Sequence, residues 1–162
     1  MYNYLINDLE NIDYLLEKVK ISATEFLKDI DNISTFPKYN NYYEASKLNE
    51  DGLGAEKTLE EFKVRFYKGI VSSAGSKYFG FVTGGSTPAA LMGDWLVSTF
   101  DQNVISRGNS SASNIEEETI NLLKELLRLP QTFSGTFVTG ATLANFVGLA
   151  IGRQWVANES GF

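Results

Sequence analysis

The chain has 162 residues, with 14 Lys plus Arg against 20 Asp plus Glu, a formal net charge of −6, and no cysteine or histidine. This length predicts one domain with a hydrophobic core, and the acidic balance argues against nucleic acid or an anionic membrane surface as partner. The missing Cys and His exclude disulfides, thiolate and imidazole metal sites, a Ser-His-Asp triad and a Cys-His pair.

Carboxylates alone can hold a hard cation, but no EF-hand-like run of alternating Asp and Asn occurs, so no metal site is expected. No apolar run approaches the length of a membrane span. The opening MYNYLINDLEN is acidic and lacks a signal-peptide pattern, so a cytoplasmic location is expected.

Apolar residues fall at Leu5, Leu9, Ile12, Leu16, Val19, Ala23, Phe26, Ile30 and Ile33, in alternating steps of four and three. This spacing predicts a helix with one narrow apolar seam, packed on the same chain or on a second copy. Residues 34–54, rich in Asn, Tyr, Pro and Gly, read as a connector laid against a surface. Helical spacing returns over Thr58 to Ile70, with Leu59, Phe62, Phe66 and Ile70 on one face and Gly69 near the end.

Tyr78 to Val82 is a β-prone or extended aromatic run, followed by the loop Thr83-Gly84-Gly85-Ser86-Thr87-Pro88. A helix is expected from Pro88, which suits a first helical position, carrying Leu91, Met92, Trp95, Leu96 and Phe100. Residues 101–112 read as a loop. Ser113-Asn114-Ile115-Glu116 has the pattern of a capping box, opening a helix with Ile115, Ile120, Leu123, Leu126 and Leu127 inward. That helix should stop at Leu129-Pro130.

Gly135 to Gly152, GTFVTGATLANFVGLAIG, predicts a strand over Thr136 to Thr139, a turn at Gly140-Ala141-Thr142 and a helix. Backbone N–H groups of a first helical turn and the helix dipole favour an anion, and small Ala141 lets one come close. Thr142 either caps the helix or donates to a phosphate oxygen. One strand cannot make a sheet, so the expected strand belongs to a larger sheet or pairs with another molecule.

FGFVTGGSTPAALMGDWLVSTFDQN, the helix from Ser113 to Leu129, and GTFVTGATLANFVGLA together resemble the pyridoxal-phosphate-dependent group II decarboxylases. That family includes the aromatic amino acid, glutamate and cysteine sulfinate decarboxylases. The resemblance runs from near Gly52 (GLGAEKTLEEF) to about Trp155, and the N-terminal helices match the family's helical arm around its dimer partner. It implies an α/β, type I fold, of which this chain holds the mostly helical N-terminal part. Expected parts are an arm and connector (1–54), a helix, active-site loop and helix (55–112), and the start of a truncated large cofactor-binding domain (113–162).

By resemblance, Ala141 and Thr142 bind the phosphate of pyridoxal 5′-phosphate. Thr83 lies near the substrate carboxylate, and Asn103 and Ile105 reach the active site of the other subunit of a homodimer. The family's Schiff-base lysine, ring-stacking histidine and ring-nitrogen aspartate lie beyond residue 162. Lys77 and Lys124 read as solvated charges, not substitutes for that lysine. Where many relatives have a second glycine, this chain has Ala141, which narrows the cup.

The expected function is the N-terminal portion of an amino acid decarboxylase, a carboxy-lyase inactive in this portion alone. Apolar surface should be exposed around Phe137, Phe146 and Trp155. The alternatives are a non-catalytic helical dimerisation module and an independent anion-binding domain; against the latter, there is no P-loop lysine and no GxGxxG.

Overall fold

The computed structural model describes residues 2–37, 50–103, 108 and 110–161. Its helices are α1 (Tyr2–Glu10), α2 (Ile12–Lys28), α3 (Ala55–Phe66), α4 (Pro88–Phe100), α5 (Ala112–Leu126) and α6 (Ala141–Glu159), with a 3-10 turn at Tyr67–Gly69 after α3. Among the described residues there is no strand, and no apolar side chain is buried. The expected core is therefore absent from them: apolar side chains along the helices, such as Leu9, Leu16, Met92, Leu126 and Phe146, are not covered by the described residues. The chain divides into two units, one through Leu91 and one from Met92.

In the first unit the expected single helix from Leu5 to Ile33 is two shorter ones. Asn11 interrupts it with φ −110 and ψ 22, and its side-chain amide donates to the Asn7 carbonyl at 2.7 Å, competing with the helical backbone pattern. The second helix ends at Lys28 because Asp29 turns the chain. Its carbonyl accepts from Asn32 and Ile33, and its carboxylate from the Asn32 side chain at 2.8 Å.

Ile30 and Ile33 thus leave the seam and receive the loop that follows α3. Ser72, only 1% exposed, donates from Oγ to the Ile33 carbonyl at 3.0 Å and from its N–H to Ser34. Ser76 Oγ donates to the Asp31 carboxylate at 3.1 Å and Lys77 Nζ to the Asp31 carbonyl at 2.7 Å.

α3 docks on α1 and α2 through polar contacts. Asp8 accepts from the Ala55 N–H at 2.8 Å, supplying the N-terminal cap that Gly54 cannot. Glu56 accepts from Tyr14 Oη at 2.6 Å and pairs with Lys18. Phe26 meets Tyr67 edge-on with ring centroids 6.3 Å apart.

The aromatic run from Tyr78 to Val82 is not extended. Thr83 N–H donates to the Gly80 carbonyl at 3.2 Å around a turn whose central residues, Phe81 and Val82, have φ 53 and 59. Phe79, Phe81 and Val82 are almost wholly exposed, and no partner strand among the described residues holds the run open. The expected helix then starts at Pro88, capped by Thr87 Oγ1, which accepts from the Ala90 N–H at 3.2 Å.

In the second unit α5 begins at Ala112, earlier than the capping-box pattern predicts. Ser110 Oγ accepts from the Ala112 N–H at 3.2 Å, while Ser113 lies inside the helix, its buried hydroxyl without a partner among the described residues. The helix ends before Leu129 with bonds from Arg128 N–H to Glu125 O and Leu129 N–H to Lys124 O, a Schellman pair. Arg128 holds the left-handed position at φ 54, and Pro130 follows.

Candidate functional site

The strand expected before α6 is not formed: residues 133–138 have no regular secondary structure. A lone strand leaves its backbone groups without a ladder, so the segment takes bonds from side chains instead. The turn and helix of the same motif are present. Gly140, at φ 97 and ψ 167, precedes α6 and donates to the Val138 carbonyl at 2.9 Å. A side chain would meet nothing within 4 Å there, so glycine is needed for its dihedral alone.

The first intrahelical bond runs from Ala144 N–H to Gly140 O at 3.1 Å. Ahead of it, the N–H groups of Ala141, Thr142 and Leu143 have no acceptor among the described residues, and no side chain caps the helix. Thr142 is exposed, and its hydroxyl has no partner among the described residues. A helix start with three backbone donors, one hydroxyl and the positive end of the dipole favours an anion in general.

The other expected site residues are distributed as follows. Asn103 lies just beyond α4 in the same unit as Ala141 and Thr142, and its carbonyl accepts from Ser110 Oγ at 3.1 Å. Thr83 belongs to the first unit, where it closes the turn at Gly80. Ile105 lies outside the described residues.

Two residues have surroundings that differ from the sequence reading. Lys124 is not a solvated charge: it is 8% exposed and donates to the Gln131 carbonyl at 3.1 Å and, more weakly, to Asn121 Oδ1 at 3.4 Å. Glu116, expected to close a capping box, accepts instead from the Phe137 N–H at 3.2 Å. The signal lay in their register, since Glu116, Ile120 and Lys124 recur every four residues on one stripe of α5.

No family model matches the chain. An aromatic-L-amino-acid decarboxylase of Bacillus atrophaeus is 30% identical over 115 residues, which is 69% of this chain and 24% of that protein. The crystal structure of Oryza sativa TDC with PLP and tryptamine matches with a TM-score of 0.78 at 20% identity, covering 94% of this chain and 35% of TDC. The structure of the same protein with PLP alone matches equally well.

The chain thus shares the fold of about a third of a protein crystallised with PLP. It is a relative of the pyridoxal-phosphate-dependent group II decarboxylases, as its motifs imply, and spans about a quarter of the length of the curated relative it matches.

Proposed function

We propose that this chain is the N-terminal part of a pyridoxal-phosphate-dependent amino acid decarboxylase and supplies its cofactor-phosphate cradle. The observation that supports this is the start of α6, where three backbone N–H groups and the Thr142 hydroxyl stand open behind Gly140. The set suits a phosphate ester in geometry and charge. Ala141 keeps the approach short, and Thr142 orients one phosphate oxygen. Bound there, pyridoxal 5′-phosphate would supply the electron sink for loss of an α-carboxylate as CO2.

Thr83, Asn103 and Ile105 belong, on this reading, to the substrate pocket of a homodimer. The 162 residues hold no histidine, so a ring-stacking imidazole comes from elsewhere.

Titration with inorganic phosphate, followed by amide NMR, tests the cradle. The Ala141, Thr142 and Leu143 resonances should move, and Thr142→Val should weaken binding about tenfold, the value of one charge-assisted hydrogen bond. No response at these amides rejects the reading. With added cofactor and an aromatic amino acid, the chain alone should release no CO2, and release would contradict the division of labour proposed here.

A second reading is a helical assembly module. It is favoured by the exposure of Leu9 (64%) and Leu16 (52%) on the N-terminal seam. The two readings are compatible if the seam is also the dimer contact of the enzyme.

A further inference from the structure

Three successive turns of one stripe of α5 touch the segment that leads into the Gly140 turn. Glu116 accepts from the Phe137 N–H at 3.2 Å. Ile120 lies against Gly135, where a Cβ would come 3.5 Å from its Cγ2. Lys124, buried, donates to the Gln131 carbonyl at 3.1 Å. The segment therefore runs antiparallel to the helix, held at both ends by polar bonds and pressed on it in the middle.

The same segment faces α6 on another side. Ser134, Gly135, Thr136 and Val138 line a groove with Val147 and Ile151. Gly140 follows two residues after Val138 and is tied back to it. With no ladder to fix residues 133–138, their path is set by these side chains, and the path sets where the Gly140 turn and the open N–H groups fall.

We infer that Glu116 and Lys124 are positioning residues for the α6 cradle, acting through the backbone of Gln131 to Phe137. The inference rests on the phosphate-cradle reading for its functional consequence, while the clamp itself is observable without any ligand. Glu116 acts as an acceptor at its end, so Gln can replace it and Ala cannot. Lys124 acts as a donor, and its burial makes a substitution there costly to the local fold.

The test compares Glu116→Gln with Glu116→Ala in the full chain, by amide hydrogen exchange and phosphate titration. Glu116→Ala should raise exchange at Phe137 about tenfold, shift the Gly140 and Ala141 amides, and weaken inorganic phosphate several-fold, about threefold or more. Glu116→Gln should restore all three readouts to near wild type, a rescue that loss of local stability alone does not give. Lys124→Met, if folded, should release the other end and shift the same amides.

Unchanged exchange and amide shifts in Glu116→Ala overturn the clamp. A wild type that ignores phosphate overturns the cradle reading, and the exchange and shift data then decide the clamp separately.

Discussion

At the scale of single residues, Glu56 ties α3 to the N-terminal helices. Its carboxyl is held below its usual range, first by the hydrogen bond from Lys18 and then by that from Tyr14. The Lys18 ammonium is correspondingly pushed up, chiefly by Glu56. A depressed carboxyl means that the unfolded chain binds more protons than the folded one at mildly acidic pH. The contribution is complete above the unfolded-chain value, about 4.3 for Glu, and is lost as pH falls through the lower folded value. Replacing Glu56 by Gln should therefore lower the melting temperature at pH 7, and the gap should narrow as pH falls below the ordinary Glu value of about 4.3. Circular dichroism melts of both proteins across pH check this; a gap of the same size at every pH would show that the charge on Glu56 contributes nothing. None of this was legible beforehand, because the connector separates Glu56 from Tyr14 and Lys18 and the three share no motif.

At the scale of elements, the sequence reading held where local chemistry is sufficient and failed where a partner is needed. The helix at Pro88 begins as expected because Thr87 and Pro88 set the cap and the first dihedral themselves. Gly140 likewise marks the turn before α6 through its own backbone freedom. The extended run expected at Tyr78 to Val82 and the strand expected at Thr136 to Thr139 depend on hydrogen bonds from a neighbour, which the described residues do not supply, so β propensity had nothing to act on. The Ser113 box failed for a different reason: Ser110 reaches the open N–H first. The end of α5 makes a quantitative prediction. Arg128 stands at φ 54 where glycine is preferred, so Arg128→Gly should stabilise the α5 terminus by about 0.5–1 kcal/mol, the relief of left-handed strain less the extra freedom of unfolded glycine. The urea midpoint of the helical signal should rise, and a fall would mean that the Arg128 side chain contributes more than its backbone costs.

At the scale of the whole molecule, the apolar faces are the dominant fact. Phe137, Phe146 and Trp155 are exposed, as anticipated, with Phe146 at 67% and Trp155 at 64%. Apolar seams on helices tell how much surface must be covered, but not which molecule covers it, and so the sequence could announce a core that the described residues do not contain. Substituting Asp for both Leu9 and Leu16 asks this of the N-terminal seam. Light scattering should show the wild type associating with concentration and the variant as a folded monomer; unfolding of the variant would instead place the seam inside its own subunit. The stripe of Glu116, Ile120 and Lys124 carries a last consequence, for the order of events during synthesis. Its partners lie only 7 to 21 residues further along the chain, so the loops to be closed are short. As the ribosome extends the chain, α5 can seize the following segment as soon as it emerges, and the turn at Gly140 is aimed before any more distant part of the sequence exists to receive it.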